Sequence, residues 1–262
     1  MKNIIVVASE LSIITGHNKY ENIQKAIDSV LNRSGIVKKY IPKSKIEETL
    51  LSLTEKDFIN IKKELKLPDD TPLKDVEDVI KKQVMGKSLD SNLSENQSKE
   101  KVDEVLKSMP TLNKCLEGSV KQDLRMKRGN IKEDNNLDKT EKKSNIVITD
   151  RNSQMYEKLL YSDPNGKYKV ILRGKVDGMN NEYVVETKNR ARRLFNMIPE
   201  YEKVQLNAYM FMTGKEKAIH IECYNDEQNQ KEYDFDKLFW EGCLDKVIDF
   251  TNNHIVCHLK DC

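Results

Sequence analysis

The stretch GKVDGMNNEYVVETK places Asp177 before the turn-forming run Gly178-Met179-Asn180-Asn181, and Glu186 follows nine residues after Asp177. Read as a hairpin, this spacing brings both carboxylates to the same end of a sheet. Side chains alternate across a strand, so Glu186 and Lys188 share one face while Val185 and Thr187 point to the other. Two acids and an ammonium therefore converge. Hydrolysis of a phosphodiester needs such a set. Hard oxygen ligands hold Mg²⁺, with Mn²⁺ as a substitute, to neutralise the phosphate and lower the pKa of a bound water. A lysine beside the metal orients the attacking water or stabilises the developing charge. Carboxylates alone would repel the phosphate, so the metal belongs to the expectation.

E-x-K is common in a chain rich in Lys and Glu, and it occurs three times, as Glu64-Leu65-Lys66, Glu141-Lys142-Lys143 and Glu186-Thr187-Lys188. The first two lie in polar or helical context and read as solvated surface. Only the third sits in a β-rich apolar segment with an acid across a hairpin, where a charged pair is costly unless it serves a purpose. An exposed hairpin with a cross-strand ion pair is the alternative. Directly after this strand come Arg190, Arg192 and Arg193. A cluster of this kind beside a phosphate-cleaving site would grip a nucleic-acid backbone, although a solvated helix start fits each arginine singly.

The elements that must position these groups begin near Asn145. NIVIT, QMYEKLLYS, the turn DPNG (Asp163 to Gly166), YKVILRGKVDGM and NNEYVVETKNR read as strands joined by tight turns. After Pro199, Tyr201, Gln205, Ala208 and Met212 recur at helical spacing, followed by the strand AIHIECY and a final amphipathic helix from Asp236 to Phe250. Leu11, Ile14, Ile23, Ile27 and Val30 give a short helix, a turn at Gly16-His17-Asn18 and a second helix; His17 reads as a turn residue and Trp240 as a packing residue. The order points to an α/β (α+β) fold, a mixed sheet flanked by helices. Residues 36–115 are Lys/Glu/Asp-rich, with three helices, the third opened by Thr71 as N-cap and Pro72 at its first position. SNLSENQSKEK (91–101) reads as a solvated loop. The expected division is 1–35 as an N-terminal helical part, 36–115 as a charged helical insertion, and 116–262 as the core.

A chain of 262 residues buries a self-sufficient core. Its 45 basic and 43 acidic side chains leave a net charge of +2, so a nucleic-acid partner must meet local positive charge. Cys115, Cys223, Cys243, Cys257 and Cys262 contain no CxxC pair, which argues against a disulfide framework, a zinc site or an iron–sulfur cluster. The first residues carry an apolar run too short for a membrane span. A soluble, intracellular protein without membrane contact is expected.

D-x8-E-x-K, as Asp177, Glu186 and Lys188 stand here, resembles the PD-(D/E)XK nuclease core, with Val176 where many members have Pro. ASELSIITGHNKYE (8–21), RGNIKE (128–133), the hairpin and YEKVQLNAYM (201–210) occur in the order seen in lambda-exonuclease-like (YqaJ-type) viral recombinases. The wording is most similar to versions from large DNA viruses, while 36–115 matches nothing in that family. The resemblance implies a restriction-endonuclease-like fold and, for a viral protein, a site of action in the host cytoplasm or at viral replication sites. It also implies Mg²⁺ at Glu133, Asp177, Glu186 and Thr187, with Gln205 beside the catalytic centre. Ser9 matches a position near a bound 5′ phosphate, although the arginine that precedes it in many relatives is missing. The activity implied is a DNA exonuclease acting on double-stranded ends in recombination, replication or repair. A single-strand annealing protein and further copies of the chain are its candidate partners. A structure-specific or restriction-type endonuclease on the same core and a catalytically inactive DNA-binding protein are the alternatives, since the motif fixes chemistry and not substrate geometry.

Overall fold

The structure, a computed structural model, describes residues 1–38, 40–144, 147–151 and 154–259, with the backbone alone for 143 and 144. It opens on a strand, β1 (Lys2–Val7), whose Ile4 and Val6 are fully buried. The expected helix, turn and helix follow as α1 (Leu11–Ile14) and α2 (Ile23–Arg33), the latter capped by the Asn22 side chain accepting from the Gln24 N–H. His17 lies in the intervening turn, hydrogen-bonded to Thr15 at 2.8 Å.

Residues 45–107 form a helical lobe of α3 (Lys45–Ser52), α4 (Glu55–Glu64), α5 (Leu73–Ile80) and α6 (Glu95–Lys107). Two expectations are corrected here. Pro72, not Thr71, is the N-cap of α5, because its extended ψ of 151° keeps it outside the helix. The polar run 91–101 is no solvated loop throughout: Ser94 and Gln97 form a capping box that starts α6. Then comes α7 (Pro110–Ser144), 35 residues long. Leu112, Leu116, Val120 and Leu124 of α7 complete the apolar core of the lobe. Further on, Leu137 of the same helix packs with Ile148, Val185, Ile219 and Ile221 beneath a sheet. One helix thus serves two cores, and residue 115 lies inside it.

The β-rich region supplies β2 (Asp150–Arg151), β3 (Tyr156–Ser162), β4 (Tyr168–Gly174), β5 (Gly178–Met179) and β6 (Tyr183–Asn189). It continues with α8 (Glu200–Thr213), β7 (Lys217–Tyr224), β8 (Glu227–Asp234) and α9 (Lys237–Phe250). The strand expected from Asn145 starts outside the described residues, as does Cys262; what pairs is Asp150–Arg151. The DPNG turn closes as expected, with Gly166 at φ 71° and its N–H on the Asp163 carbonyl at 2.9 Å. Asp236 caps α9 through the Phe239 N–H, and Trp240 is buried.

Among the described residues the strands form two mixed sheets, β1-β4-β3 and β2-β5-β6-β7-β8. β1 runs parallel to β4 and β6 parallel to β7, and the other pairings are antiparallel. The fold class is α+β, mixed sheets flanked by helices. β8 carries the polar run EQNQKEYD on the sheet edge, and periodicity gave no sign of it because an edge strand facing solvent has no apolar row to show. Gly174 permits the close approach of α8: a Cβ there would lie 2.5 Å from Met212 Cε, 3.0 Å from Tyr209 Cε1 and 3.1 Å from Ala8 Cβ.

Candidate active site

The hairpin that carries Asp177 is shorter than the sequence indicates. Gly178 and Met179 pair with Val185 and Val184, and the turn itself spans Asn180 to Tyr183, with the Asn180 side chain accepting from the Glu182 and Tyr183 N–H groups at 2.8 and 2.7 Å. Extending this register sets Asp177 opposite Glu186. Through Lys175–Asp177 the chain passes from β4 of one sheet into β5 of the other, and β5 pairs with β6 over two residues only. The Thr187 N–H is thereby left for a side chain. Asp177 Oδ2 takes it at 2.7 Å and accepts the Thr187 hydroxyl at 3.0 Å. The site sits where the two sheets part.

Alternation along β6 places Val184, Glu186 and Lys188 under α8 and Val185 and Thr187 toward α7, as their separate apolar clusters show. Lys188 Nζ donates to Glu186 Oε1 at 2.5 Å and to Gln205 Oε1 at 3.0 Å, while the Gln205 amide donates to the Tyr209 hydroxyl at 2.7 Å. Glu186 is 3% exposed, and its Oε2 has no hydrogen-bond partner among the described residues. Burial, reinforced by the facing Asp177, pushes the Glu186 carboxyl up to about 8. Burial also raises Asp177 against the pull of Lys188 and the Thr187 donors. Burial works to lower Lys188, but the charge of Glu186 outweighs it and holds the ammonium above its ordinary value. Glu133, half-buried on α7, adds its negative charge to the field at Glu186 and Tyr209. Asp177, Glu186, Lys188 and Gln205 are thus brought together, and the negative charge of Glu133 on α7 reaches them.

No group of three or more His, Cys, Asp or Glu side chains is close enough to hold a metal ion among the described residues. The donor set is the pair Asp177 and Glu186. Mg²⁺ commonly keeps several waters and takes one or two carboxylates. A pair of facing carboxylates with one buried oxygen unpartnered fits that chemistry. Thr187 has committed its hydroxyl to Asp177, so its side chain orients the acid.

The arginines divide. Arg190 is 8% exposed and is no surface grip for a phosphate backbone. Its guanidinium pairs with Glu202 at 2.6 and 2.7 Å and with Glu222 at 2.5 Å, and it lies 4.0 Å from the Phe195 ring centroid. Glu202 also bonds His220 at 2.8 Å. Burial works to raise Glu202, but hydrogen bonds from Arg190 and His220 outweigh it and hold the carboxyl down at about 2. Sequence reasoning missed this network because Glu202, His220 and Glu222 meet Arg190 only once α8 and β7 pack on β6. The available signal was ionisable residues inside AIHIECY, an otherwise apolar strand. Arg192 and Arg193 are exposed in the segment before α8, and Ser9 is exposed in the 3₁₀ turn Ala8–Glu10 after β1. The remaining E-x-K acids are structural rather than solvated: Glu64 accepts from the Thr111 and Leu112 N–H groups at the start of α7 at 2.7 and 2.9 Å, and Glu141 binds Arg151 at 2.7 Å.

No family model and no curated protein matches the chain. The solved structures similar in shape include the following two. One, titled as the crystal structure of SSO0001, is 13% identical, with a TM-score of 0.38, covering 69% of this chain and 95% of its own. The other, an alkaline exonuclease (LHK-Exo) from Laribacter hongkongensis, is 11% identical, with a TM-score of 0.39, covering 68% and 94%. Likenesses this loose add nothing to the geometry. Among the described residues no helix is long and apolar enough to cross a membrane.

Proposed function

We propose that the chain is a metal-dependent deoxyribonuclease whose centre is Asp177, Glu186 and Lys188. The observation that carries this reading is the carboxylate pair of half-buried Asp177 and buried Glu186, with Glu186 Oε2 unpartnered among the described residues and Lys188 bonded beside it. Asp177 and Glu186 would hold Mg²⁺ or Mn²⁺ as the protein donors, with Thr187 orienting Asp177 and Glu133 on α7 adding negative charge to the field at Glu186. When bound, the metal supplies neutralisation of the phosphate and a water of lowered pKa. Thr187 fixes the Asp177 carboxylate, so one oxygen of that acid is held and oriented. Lys188, anchored by Gln205, sets a positive charge where a phosphate oxygen gains negative charge. Tyr209 in turn fixes the Gln205 amide.

Within this class the reading is an exonuclease on double-stranded DNA ends, supplying single strands for recombination, replication or repair. It rests on the resemblance of residues 8–21, 128–133 and 201–210. End-labelled linear duplexes, with and without 5′ phosphate, are incubated in Mg²⁺ beside covalently closed circular DNA. Release of terminal nucleotides from the linear duplex with the circle intact supports the exonuclease; nicking of the circle makes the chain an endonuclease. Preference for the 5′-phosphorylated end would bring Ser9 into the site. Cleavage that persists in EDTA removes the metal from the account.

A further inference from the structure

The segment between β6 and α8 is held more firmly than a connection requires. Asn196 stands at φ 58°, in the left-handed region that few side chains other than Asn and Asp adopt. Its N–H donates to Glu222 Oε2 at 3.0 Å, its carbonyl accepts from the Lys231 ammonium, and its side-chain oxygen accepts from the Asn229 amide at 3.4 Å. Glu222 also accepts the Phe195 N–H at 3.4 Å. Two strands, β7 and β8, thus fix one turn in a costly conformation. Strain held in place by its surroundings directs attention to what the turn displays.

It displays an aromatic ring. Phe195 is 41% exposed and Met197 is 62% exposed, and neither packs into an apolar cluster among the described residues. The Arg190 guanidinium lies over the ring at 4.0 Å from its centroid and is itself clamped by Glu202 and Glu222. The ring therefore has a rigid back while much of the residue faces solvent. Exposed Arg192 and Arg193 precede it and form no ion pair among the described residues, and no acid occurs between Arg190 and Glu200. Lys231 adds a third cation, against the exposed acids Glu200 at the start of α8 and Glu227 on the Asn229 face of β8. The ring, rather than bulk charge, is what this surface offers.

Two short routes tie the ring to the carboxylate pair. Arg190 continues the β6 ladder with its N–H on the Cys223 carbonyl at 2.8 Å, so it follows Lys188 on the same face about 7 Å along the strand. On α8, Glu202, which holds Arg190, is three residues from Gln205, which holds Lys188 at 3.0 Å, and residues so spaced are about 5–6 Å apart. The ring centroid thus lies on the order of 10 Å from Lys188, about three nucleotides of a stacked strand.

We propose that Phe195 is a stacking platform for an unpaired base of the DNA strand that reaches Asp177 and Glu186, with Arg192 and Arg193 on the neighbouring phosphates. The idea rests on reading those two acids as the hydrolytic site. Every base has a π-face, so stacking on the ring tolerates any sequence. A base inside a duplex is covered on both faces by its neighbours, so the ring favours an unpaired one. Because the turn and the guanidinium already fix the ring, binding orders little that is not ordered beforehand.

The test is fluorescence anisotropy on the full chain with a labelled single-stranded oligodeoxynucleotide and a blunt duplex of the same sequence, in EDTA and again in Ca²⁺. Phe195→Ala and Phe195→Leu should weaken single-strand binding roughly five- to hundredfold, Phe195→Tyr should bind like the parent, and the duplex should lose far less. Single-strand binding that is unchanged in Phe195→Ala, kept in Phe195→Leu or lost equally in Phe195→Tyr overturns the stacking role. An equal loss for the duplex overturns the preference for an unpaired base. Cleavage in Mg²⁺, measured separately, keeps the two ideas apart. A chain that cleaves DNA while Phe195→Ala binds normally keeps the hydrolytic site and loses the platform. A chain that never cleaves but binds single strands through the ring keeps the platform and loses the hydrolytic reading.

Discussion

Arg190→Ala should destabilise the fold severely while its neighbours in sequence tolerate the same change. In the folded chain one guanidinium neutralises Glu202 and Glu222, both nearly inaccessible at 4% and 1%. Removing it leaves two buried carboxylates with His220 and the Phe195 and Asn196 N–H groups as their remaining donors. Breaking a buried ion pair from one side costs about 3–5 kcal/mol. The depressed Glu202 carboxyl gives an independent figure. Held at about 2 against an ordinary 4.5, it corresponds to about 3 kcal/mol. Since the folded pKa lies below the unfolded one, that stability is present above about pH 4.5 and is lost as the pH falls toward 2. In a domain of this size the loss amounts to a fall in melting temperature of roughly 6–20 °C at neutral pH. The assay is thermal and urea unfolding of wild type and Arg190→Ala between pH 7 and pH 3. The deficit should be full at pH 7 and shrink toward pH 3, because the unfolded chain takes up the carboxyl proton near pH 4.5 while the folded Glu202 stays ionised down to about 2. A variant as stable as wild type at pH 7, or a deficit that grows on acidification, would refute the reasoning.

Other outcomes follow from particular contacts. Gly174→Ala should cost about 1–3 kcal/mol, read by urea unfolding, because Met212 can swing away from the new methyl group but Ala8 and Tyr209 are packed against it. The double variant Arg192→Ala, Arg193→Ala should leave the melting temperature unchanged and lower the salt slope of duplex binding in Ca²⁺ by about 0.9 for each phosphate that is no longer neutralised. An unchanged slope makes these two arginines plain surface. Glu64→Ala should destabilise by about 0.5–2 kcal/mol in thermal unfolding, since it strips the acceptor from the first N–H groups of α7.

Much of the site was legible because its signals are local. Asp177, Glu186 and Lys188 lie within one hairpin, where strand alternation alone fixes which side chains meet, whereas Gln205 entered only through the family resemblance, since its own spacing reads as helix surface. The DPNG turn was legible for the same reason: it is closed by residues three apart in sequence. The parts that escaped are those decided by distant partners. Arg190 reads as surface in KNRARR, and only the packing of α8 and β7 against β6 makes it a buried ion-pair centre. β1 is a strand because β4 pairs with it across more than 150 residues. The 35-residue α7 hides in a polar sequence interrupted by Gly118 and Gly129, its apolar positions facing the helical lobe at one end and the sheet at the other.

The central claim is that Asp177 and Glu186 act together as an oxygen-donor pair for a divalent cation. Mn²⁺ titrated calorimetrically into wild type, Asp177→Asn and Glu186→Gln, followed by single-turnover digestion of a linear duplex with the same preparations, tests it most directly. The account predicts saturable binding to wild type that weakens in each variant, a cleavage rate lower by about a hundredfold or more in both, and folds as stable as the parent. Wild-type cleavage by either variant, or metal binding indifferent to both substitutions, would contradict it.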